Sequence, residues 1–493
     1  MALAWFHARG YLLYYGDAAS HLGIGRRLWD SRTPGYEQIG TVWLPLPHWI
    51  LALFTHVEAW WRSGLAGGIP SAAAEAAAAV FLFAALRNLF ASALAAWTGF
   101  LLFLLNPNAL YLGSTPMTEP YFALAFLATL YCATLPGRGA AVAGGIAACA
   151  GTLVRYDGWF VIPFFGAWWL WRHGWRAALI FVSIATAGPL YWLAHNRFYF
   201  GDALEFFRGP YSARAIQGRA SYPGEHDWLT AIRYFSAAAN LVAGAPLAWI
   251  GAAGAVAAAI RRQWLIVLLA LPPVFYVLSM YAAGNPIFVP HLWPNSHYNT
   301  RYGLAALPLV CVGAAAIVGM APAKHSRWVA TAILAVSQGF WAVRPGSETW
   351  ICWKESDINS KARREWVSKA AAFLRENYRE GDILTSLSDL VSVFREAGIP
   401  LRQTIHEGNS VFWLAEAYRP KLFLRAPWVV AMAGDRVHTA VVNTRWPHYD
   451  VVARIEVKGA PVVEIFRRGS QVPDEPAAQE EGEHDPEAEA EIR

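Results

Sequence analysis

Charge is scarce in this chain: Asp, Glu, Lys and Arg make up 15% of its 493 residues, where soluble globular proteins carry about 25%. With 56% hydrophobic residues and 25 Trp, that shortage excludes an ordinary soluble protein and implies a polytopic membrane protein. Cysteine is equally sparse. Of four, Cys132, Cys149 and Cys311 fall inside apolar runs, where they behave as small hydrophobes, and Cys352 stands alone, so a structural disulfide is not expected. No Cys-x-x-Cys or His-rich cluster occurs, which excludes the usual zinc and haem attachment patterns. No Walker or GxGxxG loop follows a strand, so a nucleotide site is not indicated. No internal repeat is visible.

The charge that is present is unevenly placed. The net of +5 includes a tail, 470–493, with nine acids against one Arg, a net of −8, which leaves +13 on residues 1–469. Anionic lipid or phosphate partners suit such a basic body, although positive-inside loops alone would supply the excess. The tail, acidic and rich in Pro and Ala, is expected to be disordered.

Apolar segments of spanning length, or close to it, lie at 71–90, 93–112, 118–135, 139–156, 158–172, 176–197, 239–260, 264–283, 302–320 and 326–343. The stretch 43–61 is apolar too. Its two prolines, two histidines and Glu58 suit a helix lying in the headgroup region. With that stretch outside the count, Arg87, Arg138, Arg172–Arg176, Arg261–Arg262 and Lys324–Arg327 share one side, cytoplasmic by the positive-inside rule. Residues 1–70, 113–118, 156–157, 198–238, 284–301 and everything after 343 take the other. This topology implies a first spanning helix upstream of the chain as written. Beyond Val343 a helical period at 361–378 precedes strand-like runs at 383–387, 428–432, 449–455 and 462–466. The expected organisation is a transmembrane domain over 1–343, a small soluble α/β domain over 344–469, and the tail.

Charged residues gather at the outer borders of the spans. Asp17 follows Tyr15-Gly16 before the first long apolar segments, Glu119 lies in Thr118-Glu119-Pro120, Arg155 and Asp157 in Arg155-Tyr156-Asp157-Gly158, and Arg301 closes a loop that also holds His291 and His297. Such groups are costly to keep beside a membrane without a task. Each has a plainer reading. Asp17 suits a helix N-cap, Glu119 a first-turn acid favoured by the helix dipole, Arg155 a pair with Asp157 or a snorkelling side chain, and the two histidines solvated loop positions.

In their order and common sidedness these parts resemble the GT-C superfamily of integral-membrane glycosyltransferases, notably bacterial relatives of protein O-mannosyltransferases and of lipid A aminoarabinose transferases. The resemblance covers roughly residues 10–320. It implies a GT-C-type helical bundle and transfer of a sugar from a polyprenyl-phosphate donor to a protein, lipid or glycan acceptor, on the outer face of a bacterial inner membrane. It further implies Asp17 as general base, Glu119 as its assistant or as co-ligand with Asp17 of a divalent cation, and Arg155 and Arg301 as phosphate contacts. Asp157, His291 and His297 are weaker substrate-binding candidates. Direct displacement would invert the anomeric centre. The aromatic and basic loop around Phe206–Tyr211, with Arg214 and Arg219, suits a prenyl-phosphate entrance or plain interfacial anchoring, and nucleic acid is no partner for it. Two other classes stay open: a transporter or flippase of lipid-linked glycans, which would place ionisable groups near the bilayer midplane, and a silent scaffold displaying the C-terminal domain.

Overall fold

Helix dominates because long alanine-, leucine- and tryptophan-rich runs can satisfy every backbone polar group internally, as a bilayer demands. The structure, a computed structural model, describes residues 1–218 and 221–469; the acidic tail 470–493 and Arg219 lie outside the described residues. Among the described residues four helices are long and apolar enough to cross a membrane: Leu65–Phe90, Trp175–Phe200, Trp264–Tyr281 and Thr300–Met320. Trp228–Ala243 and Ala245–Ile260 form a bent pair that meets at 114°, the geometry of a broken span or a re-entrant loop. Nine of the ten expected spans coincide with a helix or helix pair; the tenth, 239–260, matches Ala245–Ile260 and only the end of Trp228–Ala243, most of which lies in the expected outer loop 198–238. Several, such as Ala93–Leu104 and Glu119–Ala133, are too short to cross alone. The chain is a multi-pass membrane protein. The stretch 43–61 forms two short helices, Leu46–Phe54 and Glu58–Ser63, neither of spanning length.

The chain divides into two compact units, Met1–Gly25 with Ile39–Ser360, and Arg26–Gln38 with Lys361–Arg493. In the first, Leu65–Phe90 packs on Ala93–Leu104 and Glu119–Ala133, and Ala245–Ile260 runs along Leu307–Met320. That last contact is backbone on backbone: a Cβ on Gly313 would overlap the Gly251 carbonyl, which is how small residues let membrane helices approach. The bend at Gly244, φ +82°, breaks the helical ladder. Both amides of Asn106 and Asn108 repair it by donating to the Val242 carbonyl at 3.0 Å. These asparagines are fully buried, and the carbonyl they satisfy would otherwise be an unpaired polar group in an apolar setting.

The second unit is built on a mixed five-stranded sheet. Its strands are β1 (Ile383–Thr385), β2 (Thr404–Ile405), β3 (Trp428–Met432), β4 (Tyr449–Ile455) and β5 (Val463–Arg468), in the order β2-β1-β3-β5-β4. β1 pairs in parallel with β2 and β3, while β5 runs antiparallel between β3 and β4. The helices Leu387–Ala397 and Ser410–Tyr418 form the crossovers that parallel pairing requires. Leu384, Val429, Ala431, Trp413 and Phe466 fill the core beneath them. This unit also takes in Arg26–Gln38. Asp30, 1% exposed, accepts from Arg26 Nε at 2.7 Å, from the Leu401 amide at 3.3 Å and from Arg402 Nη1 at 3.1 Å, and Asn409 Nδ2 reaches Ser31 and Thr33 at 3.0 and 2.9 Å.

Candidate active site

Four of the singled-out border charges come from distant parts of the chain yet meet in one cluster of the first unit. Asp17 stands in the first turn of Gly16–Arg27, Glu119 at the start of Glu119–Ala133, Arg155 in the link before Asp157–His173, and Arg301 in the 3-10 turn Thr300–Ala306. Their meeting puts the ends of these segments on one side of the bundle. Proline and glycine fix several of the turns: Pro120 sits in the first turn of its helix, where its missing N–H costs nothing.

Arg301 is the hub. Its Nη2 donates to Asp17 Oδ2 at 2.5 Å, its Nε lies 3.4 Å from Glu119 Oε1, and its Nη1 lies 3.3 Å from Glu355 Oε1. The second Glu355 oxygen accepts from the Arg301 backbone N–H at 3.0 Å. Tyr15 and Tyr302 place their rings 4.9 and 5.2 Å from the guanidinium carbon, within cation–π range.

Arg155 is the second cation. It donates to Thr118 Oγ1 at 2.7 Å and to Tyr276 Oη at 2.5 Å, and lies 3.3 Å from Glu119 Oε1 and 3.4 Å from Asp157 Oδ1. The Tyr276 hydroxyl in turn donates to Asp157 Oδ2 at 3.3 Å. Glu119 therefore bridges the two arginines. Asp157 is 2% exposed and pairs with Arg155, so the plainer reading of that pair as an internal ion pair holds alongside any contact Arg155 makes with substrate.

Burial grades the carboxylates sharply. Side-chain exposure is 42% for Asp17, 8% for Glu119 and 1% for Glu355. Of these three, only Asp17 faces outward. Burial pushes the Glu355 carboxyl up from its ordinary range, against the pull of Arg301 and the backbone N–H groups beside it. His21, four residues after Asp17, hydrogen-bonds His48 at 2.9 Å and lies against the Trp43 ring. Burial first, then the positive charges of Arg155 and Arg301, hold its imidazole down at about 3, so it is neutral at any physiological pH.

Beside the charges opens a cleft. Glu119, Arg155 and Arg301 form its polar end; Phe103, Phe122, Phe126 and Pro308 line the rest. The cleft thus joins a charged end to an aromatic, apolar wall.

The remaining candidates are elsewhere. His291 is exposed and His297 half-buried, and neither joins a hydrogen bond or ion pair of the cluster; His297 offers its backbone carbonyl to Asn359. In the 198–218 stretch, Phe206 stacks on Tyr156 with ring centroids 5.1 Å apart, while Phe207 and Tyr211 are exposed. Among the described residues no group of three or more His, Cys, Asp and Glu is placed to hold a metal. Asp17 and Glu119 each direct an oxygen to Arg301. Glu355, Tyr276 and His21 were not singled out from the sequence. The signal for Glu355 was available, since Ile351-Cys352-Trp353 is an apolar patch that draws the start of a polar helix into the bundle.

No family model matches the chain, and no curated protein does. Among solved structures, its fold is similar to that of ArnT from Cupriavidus metallidurans in the apo state, with a TM-score of 0.55 at 14% identity over 94% of this chain and 97% of that one. The same transferase bound to undecaprenyl phosphate matches with a TM-score of 0.56 at 13% identity and the same coverage. The chain therefore shares the fold of these two structures.

Proposed function

We propose that the chain transfers a monosaccharide from a polyprenyl-phosphate donor to an acceptor hydroxyl on the outer face of a bacterial inner membrane. The observation that carries this reading is the cleft in which an aromatic, apolar wall leads to two arginines, one of which, Arg301, also holds the outward carboxylate of Asp17. ArnT of Cupriavidus metallidurans, similar in fold, binds undecaprenyl phosphate, a ligand of the shape and charge such a cleft would take. The prenyl chain would lie along Phe122 and Phe126, and its phosphate would face Arg155 and Arg301.

In the proposed reaction Asp17 accepts the proton of the acceptor hydroxyl, the freed oxygen attacks the anomeric carbon, and the bond from that carbon to the phosphate oxygen breaks. The electron pair leaves with polyprenyl phosphate, whose charge the arginines stabilise. The attack is in line, so the configuration inverts. A divalent cation held by Asp17 and Glu119 would have to take the place of Arg301. The acceptor is a protein, lipid or glycan.

Glu75 favours a second reading. It lies within the span Leu65–Phe90, 4% exposed, with neither carboxylate oxygen hydrogen-bonded, and a carboxylate inside a span is what a transporter of lipid-linked glycans would use. One assay separates the two. A general base contributes about 10²–10⁴-fold, so with a synthetic polyprenyl-phosphate sugar the wild type should form glycoside and Asp17→Asn should lose about that factor. Movement of the intact lipid across the bilayer with no bond cleavage would establish the transporter instead.

A further inference from the structure

We infer that the donor's phosphate and Asp17 exchange places at Arg301, while Glu119 and Glu355 stay fixed as clamps that aim the guanidinium at the exchange position. The inference rests on the polyprenyl-phosphate reading above and adds Glu355 as a positioning residue.

Three observations carry it. Each of the three guanidinium nitrogens of Arg301 meets a different carboxylate: Nη2 meets Asp17, Nε meets Glu119 and Nη1 meets Glu355. The two carboxylates that are buried are each tied a second time, Glu119 to Arg155 at 3.3 Å and Glu355 to the Arg301 backbone N–H at 3.0 Å. Asp17, by contrast, is 42% exposed, and Arg301 is its one side-chain hydrogen-bond partner among the described residues. A phosphate entering the cleft needs a donor of Arg301. Taking Nη1 or Nε would leave Glu355 or Glu119 buried without that partner, whereas taking Nη2 releases Asp17 toward water.

The exchange solves a chemical problem in the resting site. In the resting site Asp17 Oδ2, the oxygen that would take the acceptor's proton, is already engaged by Arg301 Nη2 at 2.5 Å. Once phosphate occupies Nη2, Asp17 is freed as a base at the moment the donor is present. After transfer the product phosphate carries about −1.5 to −2 charges against the donor diester's single one, and Asp17, after giving up its proton to water, returns to compete with it for Arg301. Glu355 enters through geometry: it holds both the backbone and Nη1 of Arg301, so Nη2 points where phosphate and Asp17 alternate.

The test is binding of undecaprenyl phosphate to the full-length protein in nanodiscs, for wild type, Asp17→Asn, Glu119→Gln and Glu355→Gln, with thermal midpoints measured beside it. A half-exposed ion pair is worth up to about 1 kcal/mol, so removing the competitor at position 17 should tighten binding about two- to fivefold. Glu119→Gln and Glu355→Gln should weaken it about tenfold or more, because the guanidinium loses a buried partner. A merely structural role for Glu355 would lower the midpoint and leave affinity unmoved, and that result overturns its assignment. Affinity unchanged or weaker in Asp17→Asn overturns the exchange, as does tightening in all three variants, which would signal general relief of negative charge. The Asp17→Asn arm decides the exchange even where a variant at 119 or 355 fails to fold. If wild type binds no undecaprenyl phosphate, the donor reading falls with it; if wild type binds and Asp17→Asn gains nothing, only the exchange does.

Discussion

Arg155→Met removes a guanidinium that meets Thr118, Tyr276, Glu119 and Asp157 at 2.7, 2.5, 3.3 and 3.4 Å. The consequences for its two carboxylates differ. Glu119 keeps Arg301 Nε at 3.4 Å, but Asp157, 2% exposed, keeps only the Tyr276 hydroxyl at 3.3 Å among side chains. Breaking a buried pair from one side costs about 3–5 kcal/mol, and Asp157 is the group left uncompensated. Arg155→Lys retains the charge but, as a single ammonium, cannot reach all four groups, and the loss of one charged hydrogen bond costs about 1.5–3 kcal/mol. Adding Asp157→Asn to Arg155→Met removes both charges of the pair and should recover most of the loss. Equilibrium unfolding in mixed micelles, followed by tryptophan fluorescence, orders the variants: wild type, then Lys and the double variant, then Met. Arg155→Met within about 0.5 kcal/mol of wild type, the range of an uninvolved surface substitution, would refute the clamp. A double variant no more stable than Arg155→Met would refute the assignment of Asp157 as the stranded partner.

His21 gives a pH prediction. Folded, it titrates at about 3 against an ordinary 6.5, so the unfolded chain takes up the proton first and stability falls as pH drops from 6.5 toward 3. Unfolding measured across that window should show a shallower decline in His21→Gln; parallel curves would contradict the burial argument. At the crossing of Ala245–Ile260 and Leu307–Met320, Gly313→Val should destabilise by about 1–3 kcal/mol or more through overpacking, since the new side chain meets backbone and not a movable tip. A neutral result in the same unfolding assay would mean the two helices separate freely.

Much of this fold was legible because the physics that selects it is local. Hydropathy marked the apolar helices apart from most of Trp228–Ala243, and the strand-like runs at 383–387, 428–432, 449–455 and 462–466 fall on β1, β3, β4 and β5. β2 escaped notice because two residues, Thr404–Ile405, are too few to show alternation. The contribution of Arg26–Gln38 to the second unit was equally hidden, since Asp30, Ser31 and Thr33 tie it to Leu401, Arg402 and Asn409, partners some 370 residues away. The site divides the same way. Asp17, Glu119, Arg155 and Arg301 were visible as charges at apolar borders, where a charge without a task is costly. Glu355 lay beyond the last apolar segment, in a helix whose composition reads as polar, and Tyr276 sat inside a span where one more aromatic draws no notice. Glu75 was overlooked for a related reason: one acid in a run of alanines barely lowers the mean hydropathy of its segment.

The central claim is that the sugar leaves a lipid phosphate by in-line attack. The measurement closest to it is NMR of the glycoside formed by the full-length protein in proteoliposomes from a β-linked polyprenyl-phosphate sugar, with free polyprenyl phosphate quantified in the same sample. The account predicts an α-linked product and one polyprenyl phosphate released per sugar transferred. A β-linked product, or a donor consumed without release of polyprenyl phosphate, would contradict it.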